Sequence, residues 1–152
     1  MALRERLARR GKVAFVLSGG GNLGAIQVGM LRALVERGIQ ADLVLGCSVG
    51  ALNGAAYAAD PSPEGIRRLE ELWMAIDDDE VMPSGWLPPS VMLARRRASV
   101  HDNAGLRAVV TEALGVDRFE ALRVPFQCVA TAVEPAEERW FSSGPLVDPI
   151  LA

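Results

Sequence analysis

The chain has 152 residues, half of them hydrophobic, with a formal net charge of -3 and two cysteines. This length suits one domain built on one core, and the absence of a dominant basic face excludes nucleic acid as the main partner. Every apolar run is broken well before the ~18 consecutive residues a membrane-spanning helix needs, and Cys47 and Cys128 form no metal-type spacing, so the expectation is a cytoplasmic protein with reduced cysteines and no metal or organic cofactor.

Residues 1–11 form a basic arm through Arg4, Arg6, Arg9 and Arg10, with too short an apolar run behind it for a signal peptide. Lys12 to Leu17 reads as a buried strand. Gly24 to Arg37 carries Ile26, Met30, Leu31, Leu34 and Val35 at helical spacing, and Gly38 closes it as a C-terminal cap. Ala41 to Leu45 is a second buried strand, and Val49 to Ala59 a helix of small residues able to pack closely on a sheet. The Asp60-Pro61-Ser62-Pro63 turn opens a further helix to about Ile76, ended by the acidic Asp77 to Glu80. Prolines, Gly85 and Trp86 exclude regular structure from Val81 to Pro89, and Ser90 to Ala98 fits no single pattern. Asn103 to Leu114 predicts a helix ending at Gly115; Val124 to Val133 and Arg139 to Ser142 predict a hairpin, followed by a helical stretch after Gly144-Pro145. Strands alternating with helices early in the chain imply an α/β fold whose first strands are parallel.

Two motifs carry chemistry. Ser18-Gly19-Gly20-Gly21-Asn22-Leu23-Gly24 follows the first strand, and Gly46-Cys47-Ser48-Val49-Gly50 follows the second. Gly-x-Ser-x-Gly between a strand and a helix forces a strained turn that presents the serine hydroxyl at the carboxyl edge of the sheet. A glycine-rich turn ahead of a helix offers free backbone N–H groups to a negative oxygen. Together they read as nucleophile and oxyanion hole. Gly19, Gly21 and Gly24 also satisfy the dinucleotide pattern Gly-x-Gly-x-x-Gly, which requires an acid at the end of the second strand; Asp42 instead begins that strand. Ser48 has a plainer alternative as a helix-capping serine.

Other candidates are weaker. His101 is the single histidine and better suits the start of the helix at Asn103 than a catalytic role. Cys47 is expected to pack in the interior, pointing away from substrate. Asp77, Asp78 and Asp79 cannot share one helical face and read as a solvated terminus. Val81 to Leu93, with Trp86, runs into Arg95-Arg96-Arg97; it suits either a peripheral contact with anionic lipid or cover over the active-site face.

These motifs, with His101-Asp102-Asn103-Ala104-Gly105-Leu106, Phe119-Glu120-Ala121-Leu122-Arg123-Val124-Pro125, the Val129-Ala130-Thr131 strand and Phe141-Ser142-Ser143-Gly144-Pro145-Leu146, resemble the patatin-like phospholipase family, specifically its bacterial members. The resemblance implies a three-layer α/β/α sandwich over residues 12–152 and serine-dependent hydrolysis of phospholipid or another acyl ester through an acyl-Ser48 intermediate. It implies a Ser-Asp dyad, with residues Gly19 to Gly24 as oxyanion hole. Two departures stand out. Leu23 occupies a position where the family commonly has Arg or Lys. The family's acid belongs to an Asp-Gly-Gly or Asp-Gly-Ala motif, and no Asp in this chain is followed by Gly. The expectation is a domain incomplete at its C-terminal end, prone to self-association through uncovered apolar surface, or a catalytically silent copy that binds acyl chains or partner proteins.

Overall fold

The computed structural model describes residues 11–75 and 104–152. The basic arm, the acidic run at Asp77 to Asp79, Trp86, the three arginines Arg95 to Arg97, and His101 lie outside the described residues. Strand β1 (Ala14–Leu17) leads through a short 3-10 turn (Gly21–Leu23) into α1 (Gly24–Glu36), and β2 (Leu43–Cys47) leads directly into α2 (Val49–Ala59). Then come α3 (Pro63–Ala75), α4 (Ala104–Leu114), a second 3-10 turn (Phe119–Ala121), β3 (Phe126–Ala132), β4 (Glu137–Phe141) and α5 (Val147–Leu151). The four strands lie in the order β1-β2-β3-β4. β1 is parallel to β2 and β2 to β3, while β4 returns antiparallel on β3 as the hairpin predicted from sequence. The fold is α/β.

Alternation along each strand decides what the sheet buries. Phe15, Leu17, Val44, Phe126 and Cys128 are buried on one face, and α2 lies against it: a methyl group on Gly54 would stand 3.0 Å from Phe126 Cε2 and 3.1 Å from Val44 Cγ1. Ala51, Ala55 and Ala58 keep α2 that close to the strands, since a longer side chain would lift the helix from the sheet. The other face is more open: Val16 is exposed, and Leu43, Leu45 and Val129 are half-buried. Tyr57 crosses the core to Phe15, its ring centroid 5.3 Å away, and its hydroxyl accepts the Ala41 N–H at 3.1 Å. β4 is an edge strand, and its exposed Glu137, Glu138 and Arg139 discourage further pairing.

Several boundaries differ from the pattern-based expectation for local reasons. The second strand begins at Leu43 because Asp42 pairs reciprocally with Val13: its N–H donates to the Val13 carbonyl and its carboxylate accepts the Val13 N–H, both at 2.7 Å. It ends at Cys47 rather than Leu45, because Cys47 still pairs in register with Val129. α1 stops as the sequence predicts. Gly38 adopts φ 67°, its N–H donates to Val35 O at 2.8 Å, and Ile39 N–H reaches back to Leu34 O at 3.0 Å. α3 starts where the Ser62 hydroxyl accepts the Gly65 N–H at 3.1 Å, with Pro63 in the first turn, where no N–H is needed. Among the described residues no helix is long and apolar enough to cross a membrane.

Asp60 ties three segments at the end of α2. Its carboxylate accepts the Ser62 N–H at 3.3 Å and an Arg123 guanidinium N–H at 2.8 Å, and it also pairs with Arg68. Burial opposes its ionisation, but the hydrogen bonds from Ser62 and Arg68 and the charge of Arg123 outweigh it and hold the carboxyl below the usual aspartate range. A depressed native pKa contributes stability that is complete above the unfolded value and drains away as pH falls through the native one. Asp60→Asn should therefore be less stable than the parent at about pH 6, with the gap closing as pH falls below the usual aspartate range. Urea denaturation of both proteins across that range checks it, and a gap independent of pH would exclude the charge of Asp60 as its source.

Candidate active site

Ser48 sits at the junction of β2 and α2 with φ 53° and ψ -128°. A non-glycine residue in that region carries about 1–3 kcal/mol of backbone strain, and such strain concentrates where a side chain must be presented rather than packed. The neighbouring glycines show how the turn is enforced. A Cβ on Gly46 would stand 2.5 Å from Gly50 O and 2.6 Å from Ala51 Cα; one on Gly50 would overlap Leu17 O and stand 2.6 Å from Ser18 O. The end of β1, the elbow and the first turn of α2 are thus packed backbone against backbone. Val49 is buried against Gly24, and Ser48 is exposed. The capping alternative for Ser48 fails on geometry: its carbonyl accepts the Ala51 N–H at 2.7 Å, but its hydroxyl makes no capping bond to the helix.

The glycine loop comes back to this serine. A Cβ on Gly19 would lie 3.2 Å from Ser48 Cβ and 3.8 Å from Ser48 Oγ, so glycine lets the loop approach this closely without pressing on the Ser48 Cβ. Gly20 O accepts the Leu23 N–H at 3.1 Å, which closes the 3-10 turn, and Gly21 adopts φ 56°. Among the described residues the Gly20 and Gly21 N–H groups donate to no carbonyl. A Cβ on Gly21 would meet nothing within 4 Å, so its requirement is conformational. Asn22 and Leu23 are exposed, Leu23 by 61%. Gly24 is different: a Cβ there would overlap Val49 Cγ2 and stand 2.7 Å from the Trp73 ring, so this glycine lets α1 press on the elbow helix. Asp42 lies at the far end of β2 from the loop and is engaged with Val13, which removes the acid a dinucleotide site would need.

Cys47 corrects the expectation of interior packing. Strand alternation puts it on the face with Leu43 and Leu45, away from α2, and it is exposed. The buried cysteine is Cys128, opposite Gly46, where burial and, less strongly, the neighbouring Cys47 push the thiol up to about 11. It stays neutral and packs in the core.

Sequence patterns missed Asn53. It is wholly buried on α2, between alanines and glycines. Its side-chain Nδ2 donates to Gly24 O and to Gln27 Oε1, each at 3.0 Å, and its Oδ1 accepts the Trp73 Nε1–H at 2.9 Å. Gln27 Nε2 in turn donates to Ser18 O at 2.7 Å. One available signal was a lone amide in an otherwise apolar small-residue helix, a poor helix former that is costly to bury without partners.

Comparison with known proteins fits this geometry. The family model described as patatin-like phospholipase matches residues 15–152. A patatin-like phospholipase domain-containing protein of Caenorhabditis elegans is 32% identical over 145 residues, covering 93% of this chain and 10% of the worm protein. Patatin-like phospholipase domain-containing protein 7 of Rattus norvegicus is also 32% identical over 145 residues, with the same coverage of 93% and 10%. Lysophospholipase nte1 of Aspergillus terreus is 53% identical over 59 residues, 37% of this chain and 4% of the fungal protein. The chain thus spans about a tenth of the length of the animal relatives it matches. With the family model matched across both glycine motifs and all four strands, the chain belongs to the patatin-like phospholipase family, a family of lipid hydrolases.

Proposed function

We propose that the protein is a serine-dependent lipid acyl hydrolase in which Ser48 is the nucleophile and the loop from Gly19 to Gly24 supplies the oxyanion hole. The observation that carries it is the strained elbow at Ser48, facing Gly19 so closely that a Cβ there would press on the serine side chain. Ser48 Oγ attacks the ester carbonyl carbon while its proton passes to a base. Loop N–H groups stabilise the negative oxygen of the tetrahedral adduct. Collapse breaks the ester bond, the alcohol leaves with the proton, and water then hydrolyses acyl-Ser48 to free the fatty acid. The relative from Aspergillus terreus is named a lysophospholipase, which supports a phospholipid or lysophospholipid as substrate.

The base is the family's Asp-Gly-Gly or Asp-Gly-Ala aspartate, which by this proposal lies outside these 152 residues. The described carboxylates favour that view. Asp148 pairs with Arg107 on the surface, Asp60 with Arg68 and Arg123, and Asp42 with the Val13 N–H. Among the described residues none hydrogen-bonds the Ser48 hydroxyl. The same observation favours a second reading, a catalytically silent module that binds acyl chains. A fluorophosphonate probe separates the two, because it labels a serine only where the nucleophile is activated.

In this chain joined to a segment bearing the Asp-Gly motif, Ser48→Ala should abolish labelling and lower hydrolysis of a short-chain ester by at least about 10³-fold with the fold intact. Ester turnover at the parental rate in that variant would exclude Ser48. A segment bearing the Asp-Gly motif, joined to this chain, should raise turnover by about 10²–10⁴-fold, the usual worth of general-base assistance; equal turnover with and without it would place the base within residues 1–152. Strain at the elbow gives an independent check. Ser48→Gly and Ser48→Ala both lack the hydroxyl, but glycine tolerates φ 53°, so the glycine variant should be the more stable by about 1 kcal/mol in urea denaturation.

A further inference from the structure

The glycine loop is held at both ends by side chains, and each of those ties leads back to a single buried amide. Ser18 O, at the start of the loop, accepts from Gln27 Nε2; Gly24 O, at its end, accepts from Asn53 Nδ2. Asn53 Nδ2 also donates to Gln27 Oε1, which leaves the Gln27 amide only one way round: oxygen toward Asn53, N–H toward Ser18. Trp73 does the same for Asn53, because its indole can only donate and so requires the Asn53 oxygen on its side. The chain of orientation therefore runs from Trp73 on α3, through Asn53 on α2, to Gln27 on α1, and ends on the loop. Asn53 stands on the same helix that Ser48 begins, five residues further along, so the loop is fixed to the body that carries the nucleophile. Among the described residues Asn53 is the one amide or charged side chain that is wholly buried.

We propose that Asn53 is a positioning residue for the oxyanion loop, acting through Gln27 and Gly24 to set the distance between the loop N–H groups and Ser48. This rests on Ser48 as nucleophile and the loop as oxyanion hole. The role has a kinetic signature. Oxyanion donors act on charge that develops only in the transition state, so misplacing them lowers kcat and weakens tetrahedral analogues while leaving ground-state binding unchanged. A displacement of about 1 Å costs on the order of 10²-fold. No group in the network titrates near neutral pH, so the pH profile should keep its shape.

The test uses this chain joined to the segment bearing the Asp-Gly motif, with three variants: Asn53→Leu, which keeps the branching and heavy-atom count and removes all three bonds; Gln27→Met, at a half-buried position, which removes only the ties to Ser18 and Asn53; and Ser48→Ala. For the first two the expected result is a fall in kcat of about 10²-fold on a short-chain ester with KM unchanged. Affinity for a trifluoromethyl ketone should weaken by the same factor. Amide hydrogen exchange across residues 18–24 should also accelerate. Gln27→Met decides the matter if Asn53→Leu does not fold. A raised KM with unchanged kcat, or faster exchange with unchanged kcat, would overturn the positioning role while leaving Ser48 as nucleophile. Full turnover by Ser48→Ala would instead bring down the assignment of the site, and the role of Asn53 with it.

Discussion

Backbone packed directly on backbone around Ser48 is the constraint on which the rest of the structure depends. The carbonyls of Leu17 and Ser18 lie where a side chain on Gly50 would be, and Gly50 O and Ala51 lie where one on Gly46 would be. Two parallel strands and the helix after the second can meet this closely only if the turn between them takes the conformation seen at Ser48, which costs about 1–3 kcal/mol. Strand pairing on one side and the burial of Val49, Ala51, Ala55 and Ala58 on the other hold it there. The small residues of α2 therefore serve two ends at once. They let the helix lie flat on the sheet, and in doing so they fix the elbow from which the serine projects.

Polar groups inside this core contribute differently from those on the surface. Leaving an amide buried without partners costs roughly 2–7 kcal/mol, so Asn53 is tolerated only because both its amide nitrogen and its oxygen are engaged. Its partners come from two other helices, which couples the packing of α1 and α3 to the helix bearing Ser48. The ion pairs along α3 are another matter. Arg67 with Glu64 and with Glu71 is more than half exposed, and pairs of that kind, screened by water, contribute little. Asp60 differs from these pairs, because its partners Ser62, Arg68 and Arg123 join α3 and the approach to β3 to the end of α2.

Individual glycines also differ in why they are needed. Gly21 and Gly38 need a positive φ, a demand visible from local turn chemistry alone. Gly19, Gly24 and Gly50 need room whose occupants come from distant parts of the chain, Ser48, Val49 with Trp73, and Leu17 respectively, and Gly46 needs room for Gly50 O and Ala51. Leu23, where a cation is usual in the family, stays exposed beside the loop, and its N–H still closes the turn on Gly20. The loop thus keeps its backbone shape without that charge.

The sequence by itself determined the order of elements, the parallel pairing of the first strands, the hairpin and the two motifs, because each follows from signals within a few residues: runs of β-branched and aliphatic residues, helical spacing in Ile26 to Val35, glycine at helix ends, Pro63 at a helix start. Only the tertiary structure decided where β2 begins, which face Cys47 takes, why Gly24 has no side chain, and which partners Asn53 ties to the loop. The physical reason is range. Asn53 and Gly24 are 29 residues apart, as are Val13 and Asp42. A backbone preference is encoded where it acts, but the partner of a buried polar atom, or the atom that would collide with a missing Cβ, exists only once distant segments have been brought together.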